Sequence, residues 1–214
     1  MAETVVEREV TGIIEEYNTS VRSMIVSLSS AKSDAEQEEA KRCFHEVIAS
    51  YPDVTIRGFK PADQSVAVLF EMENLAVGKI VPDIEGKDAQ NADLKLSNYR
   101  GKVALLIFWG GWCHSCHHFL PILRDLRTRL GPDGFTVVGV NSDLPSELTT
   151  FLKKEPLHWP NFSDGSSTGP ISVVWNIRSW PTLCLNAADG VILAKQPSIS
   201  NLEETLRPLL KKGS

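Results

Sequence analysis

Two cysteines two residues apart, Cys113 and Cys116 in Trp112-Cys113-His114-Ser115-Cys116, have the spacing at which thiols cycle between dithiol and disulfide without moving the backbone. That suits thiol–disulfide exchange, in which a thiolate attacks a disulfide sulfur and a neighbouring thiol resolves the mixed disulfide. Ahead of the pair, Val103-Ala104-Leu105-Leu106-Ile107-Phe108 reads as a strand buried on both faces, and Gly110-Gly111 lets the chain turn sharply after it. Behind it, Phe119, Leu120, Leu123, Leu126 and Leu130 recur at helical spacing from Cys116 onward, and Gly131 supplies a stop. Cys113 then stands at a helix N-terminus, where unpaired N–H groups and the macrodipole favour the thiolate. It is the expected nucleophile, the more exposed of the two, with Cys116 tucked into the helix as the resolving thiol.

Other residues near the pair carry chemistry of their own. A protonated His114 beside the sulfur would stabilise the thiolate and make the disulfide a better oxidant. His117 completes the Cys-x-x-Cys-His pattern of c-type haem attachment, and the cysteines with His117 or His118 would also suit zinc or cuprous copper. Exposed helix polarity is the simpler account of both histidines. Far along the chain, Trp180-Pro181-Thr182 opens the apolar run Leu183-Cys184-Leu185, and a proline there is a candidate cis peptide in a tight turn. Trp112 and Trp180 are expected to flank the dithiol as an apolar platform, with a substrate backbone pairing at the turn before Pro181. Cys184, in an apolar strand, and Cys43, on a helix, are expected bystanders.

Taken together, Phe108-Trp109-Gly110-Gly111-Trp112-Cys113-x-x-Cys116, Pro121 and Trp180-Pro181-Thr182 resemble the thioredoxin superfamily. Val77 to Asp83, Leu96 to Val103 and Val138 to Asp143 make residues 77 to 212 similar to the TlpA/ResA-type thiol–disulfide oxidoreductases of its redoxin/AhpC-TSA-like branch. The resemblance implies an α/β thioredoxin-like fold, a central mixed sheet flanked by helices. It implies catalytic Cys113 and Cys116, with Trp112, His114, Trp180 and Pro181 in support, and neither cofactor nor resident metal. Its partners would be a disulfide- or dithiol-bearing protein substrate and an upstream redox protein. The chain departs from the family where an acid is common: Ile107 and Phe119 stand there, so proton removal from Cys116 falls to water, His117 or another group. A peroxiredoxin-like peroxidase shares the fold, but the Pro-x-x-x-Thr/Ser-x-x-Cys setting is missing before Cys113. A metal- or haem-binding protein and a redox-inactive interaction module are the remaining alternatives.

Composition bounds the rest. The 214 residues, 42% hydrophobic and 23% charged, are ordinary for a globular chain, and no apolar run approaches the ~20 residues a bilayer-spanning helix needs. A net charge of −5 leaves no electrostatic footprint for nucleic acid or an anionic membrane, and four cysteines are too few for a disulfide scaffold. The first twenty residues lack a basic start and apolar core, so the chain as written carries no secretory signal. It reads as cytoplasmic, or as periplasmic or extracytoplasmic where a signal has been removed.

The expected organisation is an N-terminal helical region over 1–76 and a thioredoxin-like domain over 77–214. The first holds a helix from Val6 to Leu28. A second, with Ser33 to Glu36 as capping box, uses Ala40, Phe44, Val47, Ile48 and Tyr51 as its apolar face and stops at Pro52. A third runs from Pro61 to about Leu75 and buries Val66, Leu69 and Met72. The second domain is expected to hold a hairpin around Glu85 and Lys95, the strand 103–108, the active-site helix and a strand over 136–140. A helix near 146–153, a loop over 163–169, a short helix from Pro170 and a hairpin turned by Asp189-Gly190 follow, with a last helix capped by Ser200.

Overall fold

The computed structural model describes residues 34–210 apart from 56, 57 and 59. The expected first helix and Ser33 of the capping box lie outside the described residues. The chain divides into two compact units that part between Met72 and Glu73.

In the first unit, α1 (Asp34–Ser50) places Ala40, Phe44 and Ile48 one turn apart on one face, against Val68, Leu69 and Met72 of α2 (Pro61–Asn74). Two expectations fail here. Val66 is 53% exposed, because the buried stripe of α2 runs through Ala62, Ser65, Val68 and Leu69; small Ser65 takes the inward position that hydrophobicity alone gave to Val66. Tyr51 is 44% exposed, since the helix ends at Ser50 and the chain leaves the apolar face there.

In the second unit, a short antiparallel hairpin, β1 (Glu85–Lys87) and β2 (Asp93–Lys95), pairs Glu85 with Lys95. A five-stranded mixed sheet follows. Its centre is β3 (Val103–Trp109), with β4 (Phe135–Asn141) parallel on one side and β6 (Thr182–Asn186) antiparallel on the other; β5 (Asn161–Ser163) and β7 (Ile192–Lys195) are the edges. Every residue of β3 and β4 is buried, as strands covered on both faces must be. Alternation divides β3 between two layers. Val103, Leu105, Ile107 and Trp109 pack with Leu120, Leu123, Leu126 and Leu130 of α3 (His114–Leu130) and with Leu202, Leu206 and Leu210 of α6 (Leu202–Leu210). On the other face Phe108 meets Trp175, ring centroids 5.5 Å apart, just after the short α5 (Pro170–Val174). The remaining helix, α4 (Pro145–Lys154), follows β4.

The expected thioredoxin-like architecture is present, with local differences. β5 is not among the expected strands and meets the expected loop over 163–169 only at Ser163: three residues long, it is held by pairing with Gly139 to Asn141 rather than by a pattern of its own. Ser200 does not cap α6; it sits inside a 3-10 turn, Ile199–Asn201, and its hydroxyl meets that of Ser198. Outside the sheet, Arg129 of α3 grips Glu203 of α6 through two hydrogen bonds of 2.8 and 2.7 Å, and Arg207 reaches the same carboxylate. Among the described residues no helix is long and apolar enough to cross a membrane.

Candidate active site

The dithiol sits where β3 hands over to α3. Cys113 is the N-cap of the helix, and its Sγ accepts the Cys116 N–H at 3.2 Å. That satisfies one of the donors a helix start leaves free and places the sulfur against the positive end of the helix dipole. The two cysteines form a disulfide, Cα atoms 5.3 Å apart. Both are buried: Cys113 keeps 5% of its surface and Cys116 none, so the expected order of exposure holds by a narrow margin. An attacking partner must therefore come close to the loop.

Three supporting residues expected from sequence gather here. The indoles of Trp112 and Trp180 meet edge-on, 5.5 Å between centroids. Trp112 is 56% exposed, whereas Trp180 packs against the main core and donates its indole N–H to Ser142 Oγ at 3.1 Å. The Trp180–Pro181 peptide bond is cis and leads directly into β6, beside β3. His114 opens α3 and is exposed; its ring lies edge-on to His118, one turn later, at 5.3 Å.

His117 takes a different part from its neighbours. Its Nε2–H donates to the Gly111 carbonyl at 2.8 Å, and because a carbonyl only accepts, this bond fixes which ring nitrogen carries the proton. Pro121, four residues on, has no N–H to offer the His117 carbonyl, the local weakness a proline introduces inside a helix. Ile107 is fully buried and Phe119 packs against the core, so both positions expected to lack an acid have apolar surroundings. Cys184 is buried in β6, which pushes its thiol up to about 11 and leaves it unreactive near neutral pH. Among the described residues no three His, Cys, Asp or Glu side chains gather as a ligand set.

Sequence reasoning missed the residues that hold the loop from behind. Asp143, just past the end of β4, accepts the Gly111 N–H at 2.6 Å and the Asn141 amide at 2.7 Å. Asn141 in turn accepts the Asp143 N–H at 2.9 Å, and Ser142 donates its N–H to the Trp109 carbonyl at 2.9 Å. Trp109 donates its indole N–H to Asn161 of β5 at 3.0 Å and lies edge-on to Phe151 of α4. A signal for this cluster was present, since Asn141-Ser142-Asp143 is a run of polar residues directly after the apolar stretch Val137-Val138-Gly139-Val140. Beside the loop, Gly111, Trp112, Asp143, Glu147, Phe151 and Lys154 border an open groove of about 540 Å³.

Known proteins resemble this chain in sequence and in fold. The thiol-disulfide oxidoreductase ResA of Bacillus thuringiensis subsp. konkukian is 26% identical over 141 residues, 65% of this chain and 80% of its own length. ResA of Geobacillus kaustophilus is 28% identical over 123 residues, 57% of this chain and 70% of that protein. The crystal structure of a candidate thiol:disulfide interchange protein, DsbE, from Chlorobium tepidum superposes with a TM-score of 0.56 at 26% identity, covering 63% of this chain and 98% of that one. The thioredoxin domain of a Bacteroides vulgatus thiol-disulfide oxidoreductase, at 24% identity and a TM-score of 0.57 over 64% of this chain and 99% of its own, shares the fold. The stretch from the lead-in to β1 through the start of β7, residues 77–193, matches the AhpC/TSA family, and over more than half its length this chain belongs to that family.

Proposed function

We propose that this protein is a thiol–disulfide oxidoreductase acting through Cys113 and Cys116. The observation that carries the reading is the N-cap geometry, in which Cys113 Sγ accepts the Cys116 N–H while the resolving sulfur lies within disulfide reach. In the reducing direction the Cys113 thiolate attacks a substrate disulfide; one substrate sulfur leaves as thiolate and takes a proton. Cys116, once deprotonated, attacks Cys113 Sγ and expels the second substrate thiolate, so two electrons pass to the substrate and the pair ends as the disulfide. Oxidation of a dithiol runs the same steps backwards.

Relatives that are thiol-disulfide oxidoreductases support a protein carrying a disulfide or dithiol as substrate, and a second redox protein that resets the pair. Trp112, Trp180 and Pro181 serve as the platform and edge along which a substrate backbone lies, and His114 favours the Cys113 thiolate. A thioredoxin-like domain over 77–214 after a helical region over 1–76 belongs to the same reading, supported by a family match that begins at residue 77. The potential of the pair, set against the poise of a compartment, decides whether it would reduce or oxidise partners there.

Cys113→Ser should abolish reduction of insulin disulfides, whereas Cys116→Ser should leave a nucleophile that accumulates mixed disulfides visible by non-reducing electrophoresis. Near wild-type activity in Cys113→Ser would overturn the assignment.

A further inference from the structure

We propose that Asp143 and His117 are a pair of positioning residues that hold the Gly110–Trp112 turn by the N–H and the carbonyl of Gly111 and so fix Cys113 for attack. The proposal rests on Cys113 being the nucleophile and goes beyond it, since neither residue reaches the sulfur in these contacts.

Left to itself the turn has little to hold it, because Gly110-Gly111 is the stretch of backbone with the weakest conformational preference. Side chains here would be obstructed: a Cβ on Gly110 would lie 2.6 Å from the Trp112 indole nitrogen, and one on Gly111 would lie 3.2 Å from Asp143 Oδ2. The order must come from outside the turn. Asp143 supplies it through the Gly111 N–H at 2.6 Å. The same peptide group offers its Gly110 carbonyl to the Cys113 N–H at 3.0 Å. A carboxylate, one peptide group and the backbone of the nucleophile thus form one hydrogen-bonded chain, in which each bond polarises the next.

At the carbonyl of the same glycine, His117 Nε2–H binds at 2.8 Å, tying the first turn of α3 back to the loop. Neither anchor is loose. Asp143 is 6% exposed and locked to Asn141 by bonds in both directions. His117 lies beside Phe151, ring centroids 6.0 Å apart, and Phe151 packs against the core. Asp143 reaches this loop through the main chain, at the Gly111 N–H.

The test compares Asp143→Ala with Asp143→Asn and His117→Ala with His117→Gln in the full chain. The asparagine oxygen can still accept from Gly111 and Asn141, and the glutamine amide can still donate to the Gly111 carbonyl. Each alanine variant should slow insulin disulfide reduction about tenfold, the scale of a small misplacement of a reacting group. Each conservative variant should recover most of the loss, and the double alanine variant should be slower by less than the product of the singles. Iodoacetamide labelling of Cys113 in the reduced protein, located by mass spectrometry, should follow the same order without needing a substrate. Wild-type protein that reduces no disulfide would sink the exchange reading, and the labelling order would still judge the clamp. Asparagine as slow as alanine, glutamine as slow as alanine, or wild-type rates throughout would overturn the clamp. If Asp143→Ala does not fold, the His117 pair, whose ring is on the surface, decides it.

Discussion

Trp112 and Trp180, far apart in the chain, meet edge-on with ring centroids 5.5 Å apart and planes 61° from parallel, one indole facing solvent and the other anchored to Ser142. This contact joins the residue before Cys113 to the residue before Pro181. It keeps a large exposed aromatic in place beside a sulfur that is itself almost covered.

Trp112→Ala should therefore leave stability within about 0.5 kcal/mol, as for an exposed residue, while lowering kcat/KM for a protein disulfide about tenfold. Thermal unfolding together with steady-state reduction of insulin checks both. An equal loss with a small-molecule disulfide would show that the indole acts on the dithiol rather than on a protein substrate.

His114→Ala should raise the pH at which the Cys113 thiolate forms and lower the reduction potential of the pair if the imidazole next to Cys113 in sequence acts on the sulfur, because a protonated ring there would favour the thiolate. Thiolate absorbance near ~240 nm against pH is the measurement, paired with redox equilibration against glutathione. An unmoved midpoint would leave His114, which is exposed and edge-on to His118, as surface polarity.

Phe119→Glu should accelerate resolution by Cys116 if proton removal limits it, because a carboxyl pushed up by burial becomes a base near neutral pH. Phe119 packs against the core, so the exchange should cost about 2–4 kcal/mol, and rates need comparison on folded protein. Stopped-flow tryptophan fluorescence reports the step. A resolution rate no faster than wild type would mean that proton removal does not limit turnover.

The tie between α3 and α6 should make stability depend on pH below neutrality. Hydrogen bonds from Arg129, then from Arg207, pull the Glu203 carboxyl down to about 2. Its folded pKa lies below the unfolded value near ~4.3, so this contribution is complete above about pH 5 and disappears as pH falls through about 2. The Tm difference between wild type and Glu203→Gln should be constant from pH 7 to about 5 and shrink toward zero near pH 2. A difference that does not change with pH would mean that the pair contributes through packing alone.

Much of the site was legible from local pattern. An unbroken apolar run gives a strand buried on both faces. Leucines at helical spacing give α3, and a cysteine between a glycine turn and that helix falls at its N-cap. Each of these depends on neighbours within a few residues, where periodicity and backbone preference decide. The sequence also determined that positions 107 and 119 are apolar, because residue identity alone settles it.

Tertiary structure decided what depends on contacts between distant segments. Asp143 reads in sequence as one polar residue after a strand; that its carboxylate lands on the Gly111 N–H follows from β4 lying parallel to β3 with Trp109 opposite Asn141. His117 reads as helix polarity, yet the turn folds back far enough for its ring to reach the Gly111 carbonyl. β5 has too few residues to show a period and exists because β4 pairs with it. Val66, expected to face inward, is exposed because the buried stripe of α2 runs through Ala62, Ser65, Val68 and Leu69. Side-chain type fixes what a residue can do, but which partner it meets is set by strand register and the geometry of the turn.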